Sequence, residues 1–307
     1  MSSRMHPRKI PNNFFQSPFF VILLSTTIGL LAPLLTINGQ TGIHLLQRDP
    51  TPSLAKLEIW LATVGVQAFA WTIIAAWMFP YLSELMRLQS RRVIWRCLFS
   101  TLFLLMPLLI ASLWAHRAGI PPAAIAEVPI RPYFGILGAA YDAFIVFLLF
   151  LSYEAAMVDA GLDQPALLRA VRFAEKVSLV QQFFIAASLI LGLGVVGTAA
   201  QQAAIRSDAK LQYPPEYVAL FGLMGSLVLL AAYAPVRLGL YRKSQLIIDD
   251  VSGEAPTETG NLKTWLDTRA SLENLMGHNM ASIFGLGGAL PLLLPFVLGS
   301  AAKLIAK

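Results

Sequence analysis

Residues 133–153 read YFGILGAAYDAFIVFLLFLSY, and among these 21 residues only Asp142 is charged. About 20 helical residues rise roughly 30 Å, the thickness of the hydrocarbon core of a bilayer. The stretch therefore reads as a membrane-crossing helix. Six further apolar stretches flank it: 18–37, 59–82, 97–115, 177–200, 217–236 and 281–302. The 307-residue chain has 23 Lys and Arg and 17 Asp and Glu, and Asp142 alone among them falls inside a stretch. Charged residues are 13% of the chain, about half the share of a soluble domain. A soluble core of this size could not cover itself with so few charges. The composition excludes a disordered chain and a nucleic-acid-binding tail, and argues against an ordinary soluble enzyme.

The expected fold class is all-α and integral to the membrane: a polytopic bundle of six transmembrane helices plus a seventh, kinked or re-entrant C-terminal segment. The expected divisions are a basic N-terminus (1–17), a six-span bundle (18–236), a linker with an amphipathic helix (237–280) and the C-terminal membrane segment (281–307). The first stretch has a basic lead of Arg4, Arg8 and Lys9, but its apolar run is long and no A-x-A-like site follows. It reads as an uncleaved span. A single cysteine, Cys97, allows no internal disulfide.

Alternate loops differ in charge. The N-terminus, the loops 83–96 and 154–176 and the segment 237–280 carry 15 Lys and Arg, whereas the intervening loops carry six. The positive-inside rule then puts the N-terminus in the cytoplasm, of a bacterial inner membrane by expectation. It also explains the net charge of +6 without a nucleic-acid partner. Trp60, Trp77, Trp95, Trp114, Tyr133, Tyr153 and Tyr217 fall near span ends, as interfacial aromatics do, while Trp71 lies well inside its span.

Two segments differ from the spans. Residues 249–261, DDVSGEAPTETGN, read as a solvated linker. Beyond them Leu262, Trp265, Leu266, Leu272, Leu275, Met276 and Met280 recur at helical spacing, giving an amphipathic helix on the inner leaflet or against the bundle. The last stretch carries Gly287, Gly288, Pro291 and Pro295, and two prolines four residues apart favour a kinked or broken helix. It reads either as a kinked span or as a re-entrant hairpin.

A carboxylate at mid-membrane costs about 2.5–3.5 kcal/mol on insertion scales, and no Lys or Arg lies in a span to pair with Asp142. It must be protonated, hydrogen-bonded or in contact with water. On the alternating topology Gln67, Asp142 and Ser226 share a depth near the midplane, with Ser188 close by. These four form the candidate polar cluster, handling an ion, a proton or a small solute. The alternative is an Asp that ties helices together through Gln67 or Tyr141. Gly192, Gly194, Gly197 and Gly222 read as close-packing positions.

Other strings carry little. Gly192, Gly194 and Gly197 match the dinucleotide fingerprint, but inside an apolar helix rather than after a strand. Ser53/Lys56 and Ser300/Lys303 match S-x-x-K without its companion motifs. His44 and Asp49 stand alone, and the four histidines are scattered. No catalytic residue, metal site or cofactor is expected. The first functional expectation is a small, oligomeric channel- or transporter-like protein. The second is a membrane scaffold, sensor or effector whose segment 237–280 binds a cytoplasmic partner. The bilayer is the expected partner in either case.

Overall fold

The computed structural model describes residues 18–37, 51–118, 124–125, 127–131, 133–158, 165–208, 210–211, 214, 216–253, 259–275 and 286–305. The basic N-terminus and residues 276–285, which include the end of the expected amphipathic helix, lie outside the described residues.

Among the described residues the helices are α1 (Pro18–Thr36), α2 (Pro52–Leu88), α3 (Arg91–Arg117), α4 (Tyr133–Met157), α5 (Ala166–Arg206), α6 (Tyr217–Ser252), α7 (Thr259–Leu275) and α8 (Leu286–Ile305). Five are long and apolar enough to cross a membrane, over Pro52–Leu88, Arg91–Ile110, Gly135–Met157, Leu167–Arg206 and Tyr217–Ser252. This differs from the six-plus-one expectation. The parts of the first and last stretches counted as apolar helix, Phe20–Thr36 and Pro291–Ala301, are shorter.

α5 is the central helix, with α2, α4, α6 and α8 packed around it. Its buried face (Val180, Phe183, Ala187, Ile190) meets Leu148 and Leu149 of α4 and Leu229 of α6 in one apolar core. Side chains thus fill the space between α4, α5 and α6. Several packed neighbours run in opposite directions. Arg96 pairs with Glu154 at 2.6 Å and sets α3 antiparallel to α4. Gln67 and Trp71 reach Leu193 and Ile190, so α2 and α5 are antiparallel. α8 runs parallel to α5, because Gly192 faces Leu294 and Leu298 while Gly299 faces Val195. Over the described residues α8 is one helix with Pro291 and Pro295 inside it, and the re-entrant hairpin has no counterpart there.

α5 has 41 residues and α6 has 36, about 60 Å and 54 Å of helix, well beyond a bilayer core. The excess forms a stalk on one side. There α6 continues through Ser252 and ends at Gly253, whose φ of 67° suits glycine. The expected linker therefore begins four residues late. Asp249 and Asp250, which read as linker acids, are ion-pair partners on the last turn of α6. Asp250 pairs with Arg169 of α5, and Asp249 with Arg269 of α7 at 2.8 Å.

α7 stands antiparallel against α6 rather than flat on a leaflet. Trp265 donates to the carbonyl of Gly253 at 3.3 Å, and one turn later Arg269 reaches Asp249 and Gln245. Leu272 buries itself in the main core. Over its described residues, 259–275, this helix packs on the stalk formed by α5 and α6.

The opposite side is capped by a feature the sequence reading missed. Ala124–Ile125 (β1) and Val128–Pro129 (β2) form a two-stranded antiparallel hairpin. Ile130 bridges to Ile37 at the end of α1, and Arg131 donates its N–H to the Thr36 carbonyl at 2.8 Å. Ile125 and Val128 close over Leu57, Trp60 and Ile205 in a second core. Trp60, expected at the interface, is buried there.

Candidate functional site

Several polar residues of the apolar helices bond across to neighbouring helices. In α2 the Gln67 amide donates to the carbonyl of Leu193 at 2.7 Å, and the Trp71 indole donates to that of Ile190 at 3.1 Å. Both carbonyls belong to α5 and accept side-chain donors in addition to their helical ones. Gly197 makes this possible: an added Cβ there would overlap the Gln67 amide. Thr72 donates its hydroxyl to the Ala68 carbonyl at 2.7 Å. Having one hydrogen, it accepts from the Tyr141 phenol of α4, also at 2.7 Å.

On the other flank of α5, α8 needs repair. Pro295 has no N–H, so the carbonyl of Pro291, four residues earlier, loses its helical donor. The Ser188 hydroxyl of α5 donates to that carbonyl. The next amide, Phe296 N–H, donates to the Ser226 hydroxyl of α6 at 3.2 Å. Gly222 lets the α8 backbone in, since a Cβ there would overlap the Pro295 carbonyl.

The hydrogen bonds of Gln67, Ser188 and Ser226 run to backbone groups of neighbouring helices and not to one another. Of the glycines singled out, Gly192 admits the leucines of α8, Gly197 admits Gln67, Gly222 admits Pro295, and Gly194 has open space beside it. All three glycines of the fingerprint string lie inside α5. Gly287 and Gly288 lie in the first turn of α8.

Asp142 follows Tyr141 and lies one turn from Gly138, whose missing Cβ makes room for the Trp71 ring. Its Oδ1 is buried and has no hydrogen-bond partner among the described residues. The expected partners are engaged elsewhere: Tyr141 with Thr72, and the Gln67 amide N–H with Leu193. Gln67 also keeps its Oε1 buried without a donor. Gln67 and Asp142 thus each carry an unsatisfied acceptor among the described residues, and one belongs to an acid. A buried acceptor without a donor is rare in folded proteins and calls for an explanation. A carboxylate in this state can take up a proton; among the described residues no group of three or more His, Cys, Asp or Glu is placed to hold a metal ion.

Sequence reasoning missed Thr72 and named Tyr141 only as a partner for Asp142, whereas the fold pairs these two with each other. Trp71 did carry a signal, as a Trp away from the interface. Compared with known protein families, curated proteins and solved structures, the chain matches none.

Proposed function

We propose that this chain is a small transporter-like protein of a bacterial inner membrane, crossing seven times with its N-terminus in the cytoplasm, in which Asp142 binds and releases a proton. The observation that carries this reading is the buried Asp142 Oδ1, which has no donor among the described residues, in a span without basic residues. Intramembrane acids cluster at proton relays and substrate paths. A dehydrated metal cation needs several oxygen ligands, whereas a proton needs one carboxyl.

The opposed directions of several packed helices, the parallel course of α8 and α5, and the loop charges support this topology. The packed interior between α4, α5 and α6 favours a transporter that changes state over an open channel. We place any contact between copies on α3, whose most apolar window is only 11% buried. Proteoliposomes containing the protein, with membrane potential clamped, should acidify internally when the outside is acidified. A rate equal to that of protein-free liposomes would reject the reading.

The stalk supports a second reading, an effector that docks a partner at 237–280. Leu246 of α6 and Leu266 of α7 are at least half exposed outside the spans. On this reading, Leu246→Lys with Leu266→Lys would abolish activity in cells and leave proton movement in proteoliposomes unchanged.

A further inference from the structure

α1 is pinned to α2 where two backbones touch: a Cβ added at Gly65 would lie 2.9 Å from the carbonyl oxygen of Gly29. On the stalk side of that crossing α1 parts from α4 and leaves a groove of about 460 Å³. Its mouth is framed by Phe20, Phe79 and Phe144, with the last two rings stacked 6.3 Å apart. Its walls include Ala75 and Ala140, and it ends near the midplane at the Thr72–Tyr141 hydroxyl pair.

We infer that this groove holds one acyl chain of an anionic phospholipid from the leaflet on the stalk side. From Phe20 to Ile28, both on its lining, α1 rises about 12 Å, so the groove runs along the helices, as lipid chains do. Of the side-chain hydroxyls on its lining, Thr72 donates to the Ala68 carbonyl and Tyr141 donates to Thr72, so neither has a hydrogen left to offer a polar ligand. A helix from a second copy is about 10–12 Å across with its side chains, too thick for a space of this volume and length. A polymethylene chain fits it.

The charge on this side selects the headgroup. Arg87, Arg91 and Arg92 are exposed beyond the mouth, and Arg4, Arg8 and Lys9 precede α1 in sequence. Basic residues beside a span attract anionic lipids by about 1 kcal/mol each near the surface.

The test uses full-length protein from vesicles of phosphatidylethanolamine and phosphatidylglycerol, examined by native mass spectrometry in mild detergent. Wild type should retain one phospholipid, enriched in phosphatidylglycerol over its share in the vesicles. Ala75→Phe or Ala140→Phe fills the groove and should lower retention about tenfold, equivalent to about 1.4 kcal/mol. Equal retention by the filled variants, or none by wild type, overturns the assignment. A measurement on wild type guards against misfolded variants: phosphatidylglycerol with a diazirine on its acyl chain should label residues 20–28, 72–79 and 137–144. Label spread evenly over the lipid-facing helices, or cross-links between two copies through these segments, also overturns it.

Discussion

The Ser188 hydroxyl donates to the carbonyl of Pro291, the one carbonyl in α8 that Pro295 deprives of its helical donor. The proline on α8 and the serine on α5 are thus two halves of one feature. Removing the serine alone leaves a buried carbonyl unsatisfied. Ser188→Ala should destabilise the folded protein by about 0.6–1.7 kcal/mol, the range of interhelical hydrogen bonds in membranes. In a Pro295→Ala background the amide returns and the serine becomes dispensable. A double-mutant cycle on unfolding in detergent should show that coupling. Additive effects would mean that the two residues act independently.

The glycines of α5 separate by what they face. Gly197→Ala puts a methyl where the Gln67 amide sits and breaks its bond to Leu193, so overpacking should cost about 1–3 kcal/mol. Gly194→Ala meets nothing within 4 Å and should stay within about 0.5 kcal/mol of wild type. Thermal melts of the two variants under one detergent condition make the comparison. Equal losses would contradict the packing described for α2 and α5.

Arg269 is the hub that holds α7 to the stalk, with Asp249, Gln245 and Glu273 as acceptors and the Trp265 ring 5.5 Å away. These contacts are partly exposed, and such pairs are worth up to about 1 kcal/mol each. Arg269→Ala should speed amide exchange across 259–275 several-fold and leave exchange in α4 and α5 unchanged. Slower or unchanged exchange in α7 would show that Leu272 and its neighbours hold the helix without the arginine.

The five helices long and apolar enough to cross a membrane were legible in the sequence because such helices exclude charge over about 20 residues at a time, a signal that windows such as 133–153 display without reference to any other helix. The fixed rise per residue suggested a common depth for Gln67, Ser188 and Ser226 but not their bonding, which runs to different neighbouring backbones. Whether Ser188 lines water or repairs a proline depends on which residue of α8 lies opposite, and composition does not record that. The end of α6 was misread for a related reason. Asp249 and Asp250 look like linker acids in isolation, and only Arg169 and Arg269, distant in sequence, make them part of a helix. The hairpin at 124–129 gave no signal, because strands of two residues are too short for any alternation to register.

The account rests most heavily on Asp142, and proton movement through Asp142→Asn measures it directly. The amide matches the acid in size and cannot give up or take on a proton at neutral pH. Reconstituted at equal density in proteoliposomes under a clamped potential, wild type should carry protons down an imposed pH gradient. The variant, folded as judged by its melt, should fall to the rate of protein-free liposomes. A folded Asp142→Asn protein that carries protons at the wild-type rate would contradict the account.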